Sequence, residues 1–244
     1  EGTQGTLLDL HLGPYPFTTH KQTGPAVWMA ECGLSPALPT DIVMVVRTYP
    51  IRVAGNSGPM PNEISWPWLA NEINTKRRSG GLPDLVDEEA IHMFEHAVRE
   101  AAKNFATPGY SDGTDQYTWG AGDRETYKKA LSEINAEAIK LLPSDTVREL
   151  TKLFELTTVT KKLRRVANIS WLQLARAAKL VRPHRVALTF MNYEFPEYQN
   201  PSSAMWNPDI WAYIQRVSDA CYGVPVTMTT WGPTEEHILD AIDR

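Results

Sequence analysis

The chain has 244 residues, 42% of them apolar and 22% charged, which is ordinary for a globular protein with one sizeable core or two small ones. No apolar run approaches the roughly 20 residues that a membrane-spanning helix needs. The net charge of -5 argues against a protein built to coat nucleic acid. We therefore expect a cytoplasmic protein that acts on small molecules. Its two cysteines, Cys32 and Cys221, are predicted to be reduced and partly buried thiols.

The first third of the chain is rich in proline and in turn residues. Residues 1–40 are predicted to be loop, with a short helix near 26–32 that ends at Gly33. The β-branched run D-I-V-M-V-V-R-T-Y at 41–49 predicts a strand buried on both faces of an α/β sheet. A turn-rich loop, 53–61, follows that strand, and such loops are where ligands usually sit in open α/β sheets.

Apolar residues recur at helical spacing in the middle of the chain. Asp84 is predicted to cap a first helix, a polar loop at 107–122 to end it, and two more helices to follow over 123–142 and from Ser144 toward Phe154. The predicted apolar stripes are Ala90, Ile91, Phe94, Val98, Ala101 and Phe105 on the first helix and Tyr127, Leu131, Ile134, Ala138 and Leu141 on the second. We interpret residues 65–150 as a helical insertion.

An α/β alternation returns after Arg165. The predicted elements are a helix over 170–180, a strand over 186–191, a helix over 208–221 capped by Asn207, a strand over 224–230 and a short helix from Thr234. The chain is therefore predicted to be an α/β protein in three segments: an N-terminal α/β segment 1–64, the insertion 65–150 and a C-terminal α/β segment 151–244.

The run E-G-T-Q-G-T-L-L-D at 1–9, followed by Y-P-F-T-T at 15–19, resembles the signature E-G-A-Q-G-T-L-L-D…Y-P-x-V-T of adenylosuccinate synthetases. Alone, the first six residues would suit a glycine-flanked surface loop. The resemblance recurs in the family's order at 47–53, 58–63, 155–165, 188–192 and 231–233. It implies a P-loop-type mixed sheet flanked by helices.

The opening run is implied to form a wall of a purine-nucleotide site. A glutamine amide offers donors and an acceptor, so Gln4 would contact the reacting O6/N1 edge of the purine. By the same resemblance Gly5, Leu8 and Thr19 would line that nucleotide, and Val53 would contact its ribose through its backbone.

Residues 157–165, T-T-V-T-K-K-L-R-R, hold four cations in their last five positions. Such a run is often a solvated face, but here it resembles the family's E-F-G-A-T-T-G-R-x-R-R loop, which binds the carboxylates of aspartate and neutralises the transferring phosphoryl group. The positions that match are Glu155, Thr160, Arg164 and Arg165. Arg164 is implied to be catalytic together with Gln4, and Thr160, Lys162 and Arg165 to bind substrate. Lys162 replaces an arginine and lacks its bidentate fork, and Lys161 replaces a glycine.

The run L-T-F-M-N at 188–192 stands where the family has L-T-K-x-D, whose aspartate recognises guanine. Asn192 offers one acceptor and one donor, which suit adenine better, and Phe190 could stack on a base. The donor is thus GTP or ATP; the change to Asn192 makes ATP a reasonable donor, a direction also seen in the phage-type relatives that make the 2-amino version of adenylosuccinate. Thr189, Gly232 and Pro233 are implied to line the same base.

Two further patterns have ordinary explanations. His92 and His96 fit H-x-x-E-H, a zinc-peptidase pattern, but a five-residue match on an amphipathic helix is weak, and surface histidines are the expected alternative. The run K-R-R at 76–78 is predicted to be a solvated loop rather than a nucleic-acid patch. No metal site is predicted in this chain.

Taken together, the resemblance implies a ligase of purine biosynthesis that uses Mg2+ and GTP or ATP to join aspartate to the 6-position of IMP or a related purine nucleotide. No G-x-x-x-x-G-K-[ST] motif occurs in the chain. In the family the phosphate loop lies upstream, with its catalytic aspartate and histidine. We therefore expect a C-terminal part, truncated at the N-terminus, inactive alone and completed by the missing N-terminal portion, which would hold most of the Mg2+ and nucleotide sites.

Family members are commonly homodimers, so a homodimer is expected for the complete protein. The alternative function, favoured by the changes at Lys162 and Asn192, is a non-catalytic nucleotide-binding or assembly module that retains the fold.

Overall fold

The computed structural model describes residues 2–35, 37–55, 57–103, 124–157, 162–198 and 207–240. The chain forms two compact units: unit 1 contains Glu1–Pro50 and Asn168–Arg244, and unit 2 contains Ile51–Ala167. The three functional segments remain a prediction. Within the described residues, no helix is long and apolar enough to cross a membrane.

Unit 1 is built on a four-stranded mixed sheet. Its strands are β1 (Val43–Arg47), β5 (Arg185–Thr189), β6 (Val226–Thr230) and β7 (Ile238–Asp240). They lie in the order β1-β5-β6-β7. The first three are parallel, and β7 runs antiparallel to β6. The predicted mixed sheet is therefore confirmed.

Helices flank this sheet. They are α1 (Pro25–Glu31), α6 (Trp171–Val181), α7 (Met191–Glu194) and α8 (Pro208–Ala220). The predicted cap of α8 is confirmed, since the Asn207 side chain accepts a hydrogen bond from the Asp209 amide at 2.7 Å. The core includes buried side chains from strands and helices alike: Met44, Val46, Leu174, Val186, Leu188, Ile210, Val217 and Val226.

Strand β1 differs from its prediction, because it is buried on only one face. Met44 and Val46 are 8% exposed, whereas Val43 and Val45 are 38% and 64% exposed. Side chains alternate across a strand, so one side of β1 packs on the core and the other is open in the described chain. Burial on both faces was wrong. A β-branched run fixes the strand but not what covers its second face.

Unit 2 combines a small antiparallel sheet with four helices. The strands β2 (Ile51–Arg52), β3 (Glu63–Ile64) and β4 (Arg165–Ala167) lie in the order β2-β4-β3. The helices are α2 (Trp66–Ser79), α3 (Glu88–Lys103), α4 (Arg124–Leu141) and α5 (Ser144–Leu150). An aromatic cluster joins the elements: Phe94 of α3 meets Phe154 edge-on at 5.1 Å, and Trp66 lies 5.6 Å from the same ring.

Helix α2 was missed by the sequence analysis. Ser65 caps it by accepting from the Trp68 amide at 3.2 Å, and Pro67 lies in its first turn, where proline is tolerated. The basic run Lys76–Arg78 forms its last turn, so the predicted loop was wrong there. Cations are favourable at that end of a helix because they face its unpaired carbonyls.

Helix α3 begins later than predicted. The Glu89 amide donates to Asp87 at 2.9 Å, whereas Asp84 pairs with Arg78 at 2.7 and 2.6 Å, so capping by Asp84 was wrong. The buried stripe residues are Ala90, Ile91, Phe94, Ala101, Ile134 and Ala138. Leu141 is 58% exposed, so the stripe of α4 ends before it. The predictions for Phe105, Tyr127, Leu131 and the loop 107–122 lie outside the side chains that the structure describes.

Of the two thiols, Cys221 is buried and Cys32 is exposed, which corrects the prediction of partial burial for both. Burial raises the pKa of the Cys221 thiol to about 11.

Candidate functional site

The loop from Gln4 to Thr23 is organised by the carboxylate of Asp9. This side chain is 2% exposed and accepts from the amides of His11 at 2.9 Å, Leu12 at 3.1 Å and Thr23 at 2.6 Å. Burial on its own would raise the pKa of Asp9, but these three donors outweigh it and hold the pKa below its ordinary value. The carboxylate is thus ionised at neutral pH and closes the loop.

Backbone hydrogen bonds bring together the three predicted wall residues. The Leu8 amide donates to the Gly5 carbonyl at 2.8 Å, and the Thr19 amide donates to the Leu8 carbonyl at 2.7 Å. Thr23 adds a hydroxyl contact to the Gly5 carbonyl at 3.3 Å. Gly5, Leu8 and Thr19 therefore share one small, closed loop.

Gln4 stands at the entrance of this loop in an unusual backbone conformation. Its φ is +71°, in the left-handed region that side-chain-bearing residues rarely adopt. The residue is exposed, and its side-chain amide makes no hydrogen bond within the described part of the chain. The amide is therefore available to a ligand.

The carboxyl ends of β1 and β5 carry the predicted base-binding residues. The Thr189 hydroxyl donates to the Val46 carbonyl at 3.2 Å, so this side chain ties the two strands. Thr48 extends the pairing: its amide donates to the Thr189 carbonyl at 3.1 Å and its hydroxyl to the Phe190 carbonyl at 2.7 Å. Phe190, with φ of +63°, ends the strand segment and begins α7.

An arginine covers the ring of Phe190. The guanidinium carbon of Arg47 lies 3.5 Å from the ring centroid, and Tyr193 meets the same ring edge-on at 5.2 Å. Asn192, in the first turn of α7, is partly exposed, and its amide makes no hydrogen bond to the residues described. An adenine-compatible amide thus lies two positions along the chain from a held aromatic ring.

The end of β6 is shaped by Trp231 and Gly232. The Trp231 indole donates to the Thr229 hydroxyl at 3.1 Å, and its amide donates to the His237 carbonyl at 2.9 Å. A Cβ on Gly232 would lie 2.7 Å from the His237 ring, so only glycine fits without a shift. Pro233 is exposed and follows directly.

In unit 2, residues 155–157 pair irregularly and antiparallel with residues 162–165. The Arg164 amide donates to the Glu155 carbonyl, and the Thr157 amide donates to the Lys162 carbonyl, both at 2.8 Å. Leu163 is buried at 3% exposure, so its neighbours Lys162 and Arg164 lie on the opposite face. The Arg164 side chain has no partner among the described residues. The predicted substrate residue Thr160 lies outside the described residues.

Arg165 has a different environment from Arg164. Its side chain is 6% exposed and forms a bidentate pair with Glu63, with both hydrogen bonds at 2.7 Å. Its remaining nitrogen donates to the Ser57 hydroxyl at 3.0 Å and the Gly58 carbonyl at 2.8 Å. This guanidinium is therefore occupied by three groups of its own unit.

The same Ser57 shapes the loop that contains Val53. Its hydroxyl donates to the Val53 carbonyl at 2.7 Å, and Arg52 donates to its carbonyl. The Val53 side chain is 51% exposed, and its backbone lies in a turn fixed by these contacts.

The histidine pair on α3 is exposed and faces acidic neighbours. His92 lies 3.7 Å from Glu95, and His96 lies 4.0 Å from Glu100. Among the described residues, no three His, Cys, Asp or Glu side chains converge as a metal site.

The sequence analysis missed three residues that support these loops: Asp9, Glu63 and Arg47. An available signal was the spacing of Asp9 to the turn at 11–12, since aspartate commonly accepts from amides two or three residues on. Glu63 and Arg47 are paired with residues 102 and 143 positions away, which no local pattern reveals.

The mixed sheet, with flanking helices and polar groups on the loops that leave its strands, defines an α/β protein of the kind that binds ligands at strand ends. The model of the adenylosuccinate synthetase family matches residues 1–193, so the chain belongs to that family.

Two curated relatives are adenylosuccinate synthetases from archaea. That of Methanocaldococcus jannaschii is 33% identical over 134 residues, covering 52% of this chain and 34% of the relative. That of Methanococcus vannielii is 46% identical over 65 residues, covering 27% and 19%. The matched part therefore spans only about a third or less of these relatives.

Two solved structures share the fold over 98% of this chain. The succinoaminodeoxyadenylate synthetase of cyanophage S-2L, solved with dGMP and dATP as an energy donor, has a TM-score of 0.50 and 22% identity, with 45% of its length covered. The fully ligated adenylosuccinate synthetase of Plasmodium falciparum has a TM-score of 0.55 and 14% identity, with 49% covered. At these identities the likeness shows the fold.

Proposed function

We propose that this chain is the C-terminal part of an adenylosuccinate synthetase-type ligase, which joins aspartate to the 6-position of IMP or a related purine nucleotide at the expense of a nucleoside triphosphate. The observation that carries the proposal is the closed Gln4–Thr23 loop within the family match. Asp9 holds the backbone of this loop, while the side-chain amide of Gln4 is available to a ligand. A group held ready in this way needs little reordering when a ligand binds.

In the proposed reaction, the aspartate that the family carries in its N-terminal portion would take the N1 proton of the purine, and the 6-oxygen attacks the terminal phosphorus of the donor. The bond to the bridging oxygen breaks, and the nucleoside diphosphate leaves. The neutral amine of the aspartate substrate then attacks C6, the C6–O bond breaks, and the amine gives up one proton to the inorganic phosphate that leaves. Gln4 would orient the O6/N1 edge through its amide, with Gly5, Leu8 and Thr19 lining the nucleotide and the Val53 backbone contacting its ribose.

The exposed Lys162 and the half-buried Arg164 would bind the substrate's anionic groups. Lys162 and Arg164 lie on the face opposite the buried Leu163, where two positive charges suit the carboxylates of aspartate and the phosphoryl group in transfer. Arg165 would contribute by fixing the segment 162–165 through Glu63 rather than by direct contact. Thr160 also belongs to the proposed substrate set.

For the donor we propose ATP. The Asn192 amide would read adenine, Phe190 would stack on the base, and Thr189, Gly232 and Pro233 would line it. Replacing Asn192→Asp restores a double acceptor that suits guanine, and we expect the ratio of ATP to GTP affinity to fall at least roughly tenfold. A ratio unchanged by Asn192→Asp, measured by isothermal titration calorimetry, would contradict the assignment.

Among the described residues, no three His, Cys, Asp or Glu side chains converge. As the resemblance implies, we propose that another portion of the enzyme supplies the metal- and phosphate-binding groups, which in the family lie N-terminal to the matched segment. The open face of β1, with Val45 64% exposed, supports such a partner, because apolar strands in parallel sheets are ordinarily covered on both sides. A homodimer of the completed protein is part of the proposal.

The test is phosphate release with IMP, aspartate and ATP or GTP. We expect no turnover by the 244-residue chain alone and turnover after co-expression with the N-terminal portion of an archaeal relative. An Arg164→Met variant should then be inactive, whereas Arg148→Met, an exposed arginine of α5, should retain activity. Turnover by the chain alone would overturn the claim of incompleteness.

A complemented protein that binds IMP without turnover would instead favour a non-catalytic nucleotide-binding module. Two differences from the family pattern, Lys162 in place of an arginine and Asn192 in place of an aspartate, support this second function, because both alter side chains that the proposed chemistry uses.

A further inference from the structure

We propose that Arg47 is a positioning residue for the donor nucleobase, fixing Phe190 so that one face of its ring is presented to the base. The inference rests on the proposed function, because the base is the occupant assigned to this strand end. It adds a residue to which the resemblance gave no role.

Arg47 holds its position through its own backbone neighbourhood. Its Nε donates to the Tyr49 carbonyl at 2.7 Å, which turns the guanidinium back over the strand end. From there the guanidinium carbon lies 3.5 Å from the Phe190 centroid and 5.8 Å from that of Tyr193. At 3.5 Å a guanidinium occupies one face of the ring.

Phe190 is fixed from two further directions. Tyr193, buried at 8% exposure, meets the ring edge-on at 5.2 Å, and the Thr48 hydroxyl holds the Phe190 carbonyl at 2.7 Å. The left-handed φ of +63° is unfavourable for a phenylalanine and is maintained by such contacts. With one face and one edge of this half-buried ring occupied, the proposal assigns the base to the opposite face.

The arrangement has two physical consequences. A cation over one face of an aromatic ring is attracted to its negative quadrupole and restrains the ring's rotation. A base that stacks on the opposite face then meets a ring that is already ordered, so less side-chain entropy is lost on binding. Arg47 therefore favours any stacked base, while the choice between adenine and guanine is left to Asn192.

The experiment is isothermal titration of the complemented protein, the 244-residue chain co-expressed with the N-terminal portion of an archaeal relative, with ATP and with adenosine, which has no phosphate. We compare wild type with Arg47→Met, which keeps the stem, and Arg47→Lys, which keeps the charge. The matched control is Arg185→Met, at the other end of the same sheet, where the arginine pairs with Asp41. Arg47→Met should weaken both ligands by the same factor, roughly three- to tenfold. Arg47→Lys should restore part of the loss, and Arg185→Met should change neither affinity.

A double-mutant cycle separates positioning from general structural support. If Arg47 acts through Phe190, then Arg47→Met should add no further loss in a Phe190→Ala background. Full additivity of the two losses would overturn the proposal. So would a loss confined to ATP, because that result would mean that Arg47 contacts phosphate directly.

The remaining outcomes distinguish this inference from the proposed function. If wild type binds both ligands and Arg47→Met binds them equally well, the role of Arg47 is overturned and the donor site stands. If wild type binds IMP but neither ATP nor adenosine, the donor site and the role of Arg47 both fail, while the Gln4 wall stands. If Arg47→Met does not fold, the Arg47→Lys variant and a double-mutant cycle that combines Arg47→Lys with Phe190→Ala test the role of Arg47 instead.

Discussion

The two proposed substrate loops, one in each unit, are organised by buried charges of opposite sign. In the Gln4–Thr23 loop, the Asp9 carboxylate collects three backbone donors. In the paired segments 155–157 and 162–165, the Arg165 guanidinium collects a carboxylate, a hydroxyl and a carbonyl. In both cases the side chain proposed to contact the ligand belongs to the same segment and has no partner among the described residues: Gln4 in one and Arg164 in the other.

In each loop one residue holds the backbone together and another would contact the ligand, and a sequence pattern does not tell these two roles apart. A buried charge must be fully paired, because an unpaired one is costly, and so it holds its surroundings together. A polar side chain in contact with solvent, such as Gln4 or the half-buried Arg164, is solvated at little cost in free energy and remains available to a ligand. Substitutions at the buried organisers should therefore lower stability, whereas substitutions at their exposed neighbours should lower ligand binding alone.

The largest effect is expected for Arg165→Met. This change removes the bidentate hydrogen bonds from Arg165 to Glu63, and breaking a largely buried pair lowers the free energy of unfolding by about 3 kcal/mol. Urea denaturation measures it. The adjacent Arg164→Met is the control and should change stability by less than about 0.5 kcal/mol. Equal losses for both arginines would remove the distinction between organiser and neighbour.

Asp9→Asn should come next, with a loss of about 2 kcal/mol, because the amide cannot accept from all three donors as an ionised carboxylate does. IMP affinity should fall at least roughly tenfold as the loop loosens. Asp145→Asn, on an aspartate that is 87% exposed, is the matched control and should alter neither quantity. An Asp9→Asn variant with unchanged urea midpoint would refute the organising role.

A smaller effect is expected from pH. Because the donors hold the pKa of Asp9 below its ordinary value of 3.8, the folded state binds this proton more weakly than the unfolded state does. Its contribution is therefore present above that value and is lost as pH falls through the lower, folded pKa. Urea midpoints of wild type and Asp9→Asn, measured from pH 5 downward, should converge below pH 3.8. A gap that stays constant would contradict the linkage.

The smallest change in stability is expected for Gln4→Gly. Glycine adopts the φ of +71° without strain, so the unfolding free energy should stay the same or rise by no more than about 1 kcal/mol. IMP binding should nevertheless be lost with the amide. Gln22→Gly, on an exposed glutamine of the same loop, should keep IMP binding. If both variants bind IMP equally, Gln4 does not contact the nucleotide.

The sequence was informative where local rules decide the structure. The cap at Asn207, the helices at 171–181 and 208–220 and the parallel strands followed from spacing and capping residues. The burial of β1, the pairing of Arg165 with Glu63 and the stack of Arg47 on Phe190 did not, because each depends on a partner distant in the chain. The family resemblance indicated which residues would contact ligands, but it could not distinguish Arg165, which is paired with Glu63, from Arg164, whose side chain has no partner among the described residues. The site roles themselves remain predictions.

The pairing of β1 with β5 has a consequence for how the protein forms. Thr48 and Phe190, which join the ends of these strands, are 142 residues apart in sequence. At a synthesis rate of about 5–20 residues per second, on the order of ten seconds pass between the synthesis of β1 and that of β5. All of unit 2 is made in that interval, and its continuous stretch of chain can fold first. Its folding shortens the effective loop that the sheet must close, so the order of synthesis favours assembly from unit 2 toward unit 1.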